Sequence, residues 1–309
     1  MPVSLTSRLI ALSLAAMLGG AVPVLAQQRP DDDYRYAIDR PAYPPGSGPT
    51  IGIDAGHHNY HTAEGRYGPF AQLETDDGFK VVNLNATLNA DALAGIDILV
   101  IANALDASNE DNWRLPTPSA FTPAEIAAIE AWVADGGSLL LIADHMPFAG
   151  ADAELARAFG FGFVNGYAMR SSDRTTTFTF TPDAGLVLDD LGVGLPPTTH
   201  FVTFTGQAFT FPEDAIPLLV LAGHYTAVLP TVAGQIDDRT PSVDVSGYAQ
   251  GAIAEHAAGR VAVFGEAAAF SAQVGGNGEP MGMNAEGAEE NAPFVLKTLR
   301  WLARLPGPP

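Results

Sequence analysis

The chain has 309 residues and carries 35 acidic against 15 basic side chains, which gives a net charge of −20 at pH 7. This charge disfavours binding to nucleic acid and to anionic lipid, because both would repel the protein. The sequence contains no cysteine, which excludes disulfides, thiolate metal ligands and a cysteine nucleophile.

Residues 1–26 have the pattern of a secretory signal peptide. Arg8 precedes an apolar run over residues 9–18, and small residues then lead to Ala26. The alternative is a retained membrane anchor, which would need about 20 consecutive apolar residues, whereas two glycines and a proline interrupt this segment. We therefore predict cleavage after Ala26, a secreted or periplasmic location and no stable membrane anchor.

Residues 27–49 are rich in Pro, Asp, Tyr and Gly and show no regular periodicity, which predicts an extended lead-in. A single α/β domain is expected over residues 50–305. Its first predicted elements are a strand at 50–53, a helix at 67–77 and strands at 79–84 and 96–102.

The clearest helix signal covers residues 122–135. Thr122 and Glu125 form a capping box, and Pro123 occupies the first helical position. A buried strand at 138–143 and a helix at 152–159 are predicted next. Because parallel strands need a crossover, which a helix usually supplies, this alternation predicts a parallel sheet with helices on its faces.

The rhythm changes between about residues 161 and 258, where Thr and Phe alternate and further strand-like pieces follow. This pattern predicts an antiparallel or mixed β-rich insertion. A last core strand at 260–265 and a closing amphipathic helix at 292–303 complete the domain.

Polar side chains follow three of the predicted strands. Ligands bind outside the carboxyl ends of the strands in an open parallel sheet, so we expect a functional pocket at this edge. Four of the seven histidines and three carboxylates fall there. The residues concerned are Asp54, His57, His58, His61, Asp144, His145 and Glu266.

These residues suit acid–base chemistry, with His145, Asp144, Glu266 and His57 as candidate catalytic residues. They could equally cap helices or bond loop backbone, and His58 could face solvent. The candidate substrate contacts are Asp54, His58, Tyr60 and Phe148. An aromatic face beside a carboxylate suits a sugar, although such rings also serve in packing.

A divalent metal such as zinc is a second hypothesis, with His57, His61 and His145 as ligands, because zinc takes imidazole and carboxylate ligands. No fixed-spacing metal signature is present. No G-x-S-x-G motif is found either, and Ser271 in its Ala-rich segment reads as a structural residue.

Three segments carry a resemblance to a known family. They are residues 53–57 (IDAGH), 131–145 (AWVADGGSLLLIADH) and 259–266 (GRVAVFGE). The chain resembles the class I glutamine amidotransferase-like superfamily, and within it the exported bacterial domains of unknown function near the ThuA-like proteins.

This resemblance implies a flavodoxin-like sandwich with a pocket at the tip of the central strand. ThuA-like proteins keep histidines there and are linked to sugar metabolism. Amidotransferases place a cysteine where this chain has His145, so cysteine-dependent glutamine hydrolysis is not implied.

Two functions follow as hypotheses. One is an exported hydrolase acting on a small polar or carbohydrate-like substrate. The other is a non-catalytic module that binds a glycan or another protein.

Overall fold

The structure of the protein is a computed structural model that describes residues 28–188 and 190–305. The predicted signal peptide, residues 1–26, lies outside the described residues. Within those two ranges, no helix combines the length and the apolar character needed to cross a bilayer.

The strands of the described chain are numbered in chain order. They are β1 (Arg29–Pro30), β2 (Thr50–Asp54), β3 (Lys80–Leu84), β4 (Ile98–Ala102), β5 (Ser138–Ile142), β6 (Gly162–Phe163), β7 (Tyr167–Arg170), β8 (Phe178–Phe180), β9 (Phe201–Thr203), β10 (Phe209–Thr210), β11 (Ile216–Val220), β12 (Tyr225–Val228), β13 (Ser242–Asp244), β14 (Ala249–His256), β15 (Gly259–Phe264), β16 (Ala272–Val274) and β17 (Pro280–Gly282).

The helices are fewer and surround the early strands. They are α1 (Gly68–Asp76), α2 (Ala90–Leu93), α3 (Pro123–Ala134), α4 (Phe148–Ala151), α5 (Ala153–Ala158) and α6 (Asn291–Leu302), with short 3₁₀ turns at Ala107–Asn109 and Ala268–Phe270. The helix predicted over 152–159 begins earlier, as α4, and is interrupted at Asp152.

Helix α3 begins where its capping box predicts. The hydroxyl of Thr122 accepts a hydrogen bond from the N–H of Glu125, and the Glu125 carboxylate accepts one from the N–H of Thr122. Both orphan donors at the helix start are therefore satisfied locally.

The central sheet has the strand order β3-β2-β4-β5-β15-β14-β10-β6, and β11 also pairs with β14. The pairs from β3 to β15 are parallel, and those from β15 onward are antiparallel. The predicted α/β class, with a parallel central sheet and a β-rich insertion, is confirmed.

Both faces of the parallel strands are buried. In β5, Leu140 and Ile142 belong to one apolar cluster, while Leu139 and Leu141 belong to another. Because successive side chains of a strand point to opposite faces, the two clusters lie on opposite sides of the sheet. Helices α1 and α6 contribute to the first cluster and α3 to the second, which makes the three layers of an α/β sandwich.

The β-rich region is divided between two locations. Strands β6, β10, β11 and β14 extend the central sheet, whereas β7, β12 and β13 form a separate three-stranded sheet and β8 and β9 pair with each other. Part of the predicted insertion is therefore continuous with the core.

The lead-in is attached to the domain from its first described residues. Strand β1 pairs with β16, and the N–H of Asp31 donates to the carbonyl of Ala272. Partly buried apolar side chains farther along, Tyr34, Tyr36, Ile38 and Tyr43, pack against the core. The first described residue, Gln28, therefore lies beside the carboxyl edge of the sheet.

Candidate functional site

The parallel strands deliver polar residues to one edge of the sheet. Asp54 ends β2, and Asn103 directly follows β4. Asp144 and His145 come one residue after the end of β5, and Glu266 comes one residue after the end of β15. The parallel register between β4, β5 and β15 brings the last three of these strand ends side by side.

A small cleft opens at this edge, with a cavity volume of about 30 Å³. A cavity of about 10–15 Å³ already holds one water, so the enclosed part of the cleft accepts a water or one polar group of a larger ligand whose remainder lies at the mouth. Its polar lining consists of His61, Asn103, Asp144, His145, Thr205 and Glu266. Tyr60, Trp113, Phe148 and Phe204 line its apolar walls, and Gln28 and Met281 also border it.

Two buried carboxyl groups define the chemistry of the cleft. Glu266 is 2% exposed and accepts hydrogen bonds from the N–H groups of Ala268 and Ala269, both at 2.9 Å. Burial, and then the charge of Asp144, raise the pKa of Glu266 well above its ordinary value.

Asp144 is also buried, and its Oδ1 accepts a hydrogen bond from the N–H of His145 at 2.7 Å. Burial raises the pKa of Asp144 to about 7, against hydrogen bonds from His145, Ala267 and Asn103 that lower it. The two carboxyl groups therefore hold protons at pH values where ordinary carboxyls are ionised.

His145 is a neutral imidazole in the cleft. Its Nδ1 donates to the carbonyl oxygen of Met146 at 2.6 Å, and its ring stacks on Tyr167 with centroids 4.3 Å apart. Burial lowers the pKa of His145 to about 4. With the proton on Nδ1, the Nε2 atom is the hydrogen-bond acceptor of this ring.

His61 is neutral too, and two amides determine which of its nitrogens carries the proton. The Oδ1 of Asn103 accepts from the N–H of Asp144 at 2.8 Å, so its Nδ2 donates to Nδ1 of His61 at 3.1 Å. The proton of His61 therefore resides on Nε2, 3.2 Å from the Gln273 amide. Flipping the Gln273 amide by 180° exchanges its nitrogen and oxygen, so that the otherwise unpaired Oε1 accepts the hydrogen bond from Nε2–H of His61.

Sequence reasoning missed Asn103 and Gln273. Asn103 directly follows the buried strand β4, and it adopts a φ of 54°, a conformation that Asn tolerates better than most residues. A polar residue immediately after β4 was the available signal. Gln273 carried no such signal, because it lies in β16 and reaches His61 only through the fold.

The aromatic walls form one contiguous group. The ring centroids of Tyr60 and Trp113 are 5.2 Å apart, and those of Trp113 and Phe148 are 5.0 Å apart. Arg66 stacks over the Tyr60 ring at 3.6 Å. The predicted substrate contacts Tyr60 and Phe148 do line the cleft.

The structure does not bring His57 to the cleft. Its Nδ1 lies 2.9 Å from Oδ1 of Asp54, and its Nε2 lies 2.9 Å from Oε1 of Glu125. Both ring nitrogens are used, so neither is available to a metal ion or a substrate. Burial lowers the pKa of His57, but hydrogen bonds and charges from Asp54 and Glu125 outweigh it, and the pKa is raised.

Asp54 and His58 also lie outside the cleft. Asp54 is fully buried and accepts from Asn59 and from the N–H of Gly56 in addition to its contact with His57. The His58 side chain is 40% exposed and pairs with Glu110 at 2.9 Å.

The predicted zinc ligands His57, His61 and His145 are not assembled into a site. Between residues 28 and 305, position 189 aside, no three His, Asp or Glu side chains are grouped to hold a metal ion. Ser271 is buried, and its hydroxyl donates to the carbonyl of Arg66, which supports its structural reading.

No protein-family model matches the chain, and no curated protein matches it with significance. Solved structures do resemble it. The mmIFT52 N-terminal domain aligns with a TM-score of 0.56 at 15% identity, covering 82% of this chain and 96% of that one. This likeness shows a shared fold.

Two bacterial structures are similar at lower scores. A putative ThuA-like protein from Bacteroides uniformis gives a TM-score of 0.45 at 14% identity, covering 87% of this chain and 94% of that one. The cytoplasmic protein STM1381 from Salmonella typhimurium gives 0.47 at 13% identity, covering 83% and 97%. Structural neighbours of this chain thus include a ThuA-like protein.

Proposed function

We propose that this protein is an exported hydrolase, a divergent relative of the glutamine amidotransferase-like superfamily, that acts on a small polar or carbohydrate-like substrate by acid–base catalysis. One observation carries the proposal: Asp144 and Glu266, two buried carboxyl groups with raised pKa values, line one cleft at the carboxyl edge of the sheet. Pairs of carboxyls held at different pKa values supply the acid and the base of many hydrolases.

The pKa values divide the roles. Glu266 keeps its proton at neutral pH and acts as the general acid that protonates the leaving group. Asp144, with a pKa of about 7, is ionised in half of the molecules at that pH and acts as the general base toward water. The candidate catalytic residue His145 is not assigned as the base, because a pKa of about 4 makes that imidazole a weak base.

His145 and His61 then orient the substrate. The Nε2 atom of His145 accepts a hydrogen bond from a substrate hydroxyl, while His61 is held by Asn103 and Gln273 beside it. The aromatic walls contact the apolar face of the substrate.

The test is a hydrolysis screen with phenyl glycosides and phenyl esters, with phenol release followed by chromatography. Glu266→Gln and Asp144→Asn are expected to lower kcat by about 100-fold or more, the usual contribution of a general acid or base. His224→Asn, an exposed histidine outside the cleft, is the matched control. Full activity in both carboxyl variants would refute the assignment.

The pH profile provides a second readout. Activity is expected to rise through about pH 7 as Asp144 loses its proton, and to fall at higher pH as Glu266 ionises. In Asp144→Asn the rising limb near pH 7 should disappear from the residual activity.

A second candidate is a non-catalytic glycan-binding module, which the contiguous aromatic walls of Tyr60, Trp113 and Phe148 favour. Calorimetry with mono- and disaccharides separates the two functions. A binding module saturates while the recovered sugar is unchanged, whereas a hydrolase releases products.

Export rests on the signal-peptide pattern of residues 1–26 and is part of the proposal. Intact-mass measurement of the protein from the periplasm or the medium should give a chain that begins at Gln27. A protein found inside the cell with its N-terminal segment intact would contradict it.

A further inference from the structure

The cleft is short of the groups that stabilise a developing negative charge. The backbone N–H groups of Ala268 and Ala269 already donate to Glu266, as does that of Phe204. Those of His145 and Ala267 donate to Asp144. These five N–H groups are therefore occupied by the protein's own carboxyls and are not available to an oxyanion.

Side chains do not supply the missing positive charge. Among the described residues that line the cleft, none is lysine or arginine. Arg66 stacks on Tyr60 and donates to its carbonyl oxygen, and it is not a lining residue. Both imidazoles in the cleft are neutral: Nδ1 of His61 accepts a hydrogen bond from Asn103, and burial lowers the pKa of both rings.

The cleft instead offers groups that stabilise positive charge. Asp144 and Glu266 bring carboxyl oxygens, and His145 brings the unprotonated Nε2 atom. The ring of Trp113 brings an electron-rich face. Because the cleft has little exposure to water, a positive charge that develops there is stabilised strongly by the Asp144 carboxylate.

We infer that the reaction of this cleft is the hydrolysis of an acetal, such as a glycoside, through a transition state with positive charge on carbon, and not acyl transfer through an oxyanion. This inference rests on the proposed hydrolase function and specifies its substrate class.

The proton and electron balance of the step is complete. The C–O bond to the leaving group breaks as Glu266 gives its proton to the leaving oxygen, and positive charge grows on the acetal carbon. Water adds to that carbon and gives a proton to the Asp144 carboxylate. The products are a hemiacetal and an alcohol, and the proton on Asp144 returns to Glu266 through solvent.

The experiment compares three substrates that present a phenyl or anilide group without any sugar stereochemistry. They are 2-phenoxytetrahydropyran, which is an acetal, phenyl acetate, which is an ester, and acetanilide, which is an amide. For each substrate, the rate enhancement is the catalysed rate divided by the uncatalysed rate. We expect the full-chain protein to give the acetal a rate enhancement at least tenfold larger than that of the ester or the amide. His224→Asn serves again as the control.

Binding of small probes gives a readout that does not depend on turnover. Piperidinium and tetrahydropyran have the same shape, but only the first is charged, and methylphosphonate carries the opposite charge. At pH 8 we expect piperidinium to bind at least tenfold more tightly than tetrahydropyran, and methylphosphonate to bind more weakly than both.

This preference should depend on Asp144 and on pH. Asp144→Asn should lower the affinity for piperidinium to that for tetrahydropyran. In the wild type the preference should disappear between pH 8 and pH 5, because about two units below a pKa of about 7 only about 1% of the carboxyl is ionised. The titratable groups near Asp144 are Glu266, His61, His145, Tyr60, Tyr67 and Tyr167, and none of them is a cation at pH 8. The Arg66 guanidinium, stacked on the Tyr60 ring, is the charged group beside this set.

The outcomes separate this inference from the proposed function. Turnover of the ester or amide in preference to the acetal, or tighter binding of methylphosphonate than of piperidinium, would overturn the inference and leave a hydrolase. Failure to hydrolyse any of the three substrates or any phenyl glycoside would overturn both. A folded Asp144→Asn, verified by its thermal melt, that still prefers piperidinium would also overturn the inference.

Discussion

Two groups of imidazole and carboxyl side chains lie at the same edge of the sheet and behave in opposite ways. Around His57, Asp54 and Glu125 occupy both ring nitrogens, so the ring is held by charge. Around His145, the ring is neutral and the neighbouring carboxyls retain protons. The comparison teaches that proximity of His to Asp or Glu does not identify a reactive site. Reactivity requires a ring nitrogen or a carboxyl proton that the protein's own hydrogen bonds leave available to a ligand.

Glu125 illustrates the structural group. Its Oε2 accepts from Thr122 in the capping box, and its Oε1 accepts from the N–H of Leu88 as well as contacting His57. Burial raises the pKa of Glu125, but these hydrogen bonds outweigh it and lower the pKa to about 2. The ionised Glu125 carboxylate and the His57 ring thus connect α3 to the loop after β2.

The largest expected loss of stability comes from removing the contact between His57 and Glu125. His57→Ala leaves two buried carboxylates without their partner, and removing one member of a buried pair costs about 3–5 kcal/mol of unfolding free energy. Urea unfolding at pH 6 measures this loss. The activity of the remaining folded protein should be unchanged, and a loss below about 1 kcal/mol would refute the structural role.

The pH dependence of that loss has a defined sign. The folded pKa of His57 is raised, so its stabilising contribution is complete below the unfolded pKa of about 6.5 and disappears as pH rises through the folded value. The stability difference between wild type and His57→Ala should therefore shrink at alkaline pH. A difference that grows with pH would contradict this account.

The second-largest effect is expected at Asp144, in the pH dependence of the unfolding free energy. Its folded pKa of about 7 lies above the unfolded value of about 3.9, so the wild type loses stability as pH rises between these values, by about 1 kcal/mol per pH unit. Asp144→Asn removes this dependence. Unfolding free energies of the two proteins at pH 5, 6 and 7 should diverge in favour of the variant.

Asn103 tests the link between Asp144 and His61 in the cleft. Asn103→Ala removes the bonds to Asp144 and His61 and places a residue without a polar side chain at a φ of 54°, at a cost of about 1–3 kcal/mol. Asn103→Gly tolerates that φ and isolates the loss of the bonds. The glycine variant should lie between the wild type and the alanine variant in thermal stability.

The smallest effect is expected at His58. Its ion pair with Glu110 is exposed on both sides, and exposed pairs contribute little. His58→Ala should change stability by less than about 0.5 kcal/mol and leave kcat unchanged. A clear loss of activity would show that His58 contributes to the functional site, as the sequence predicted.

Much of the fold was predictable because its signals are local. The capping box at Thr122, the proline after it and the glycines that follow α3 define that helix from adjacent residues. The alternation of buried strands with helices predicted the parallel sheet. The continuity of the insertion with the core was not predictable, since it depends on pairings such as β6 with β10 that join distant segments.

By itself, the sequence determined the layered α/β architecture and the edge at which polar residues collect, because strand periodicity and strand ends are properties of neighbouring residues. Only the tertiary structure decided which of those residues share a cleft. His57 meets Glu125 across 68 positions and His61 meets Gln273 across 212. Partners so far apart are selected by packing, which places one imidazole between two carboxylates and another in a cleft with two carboxyl groups of raised pKa.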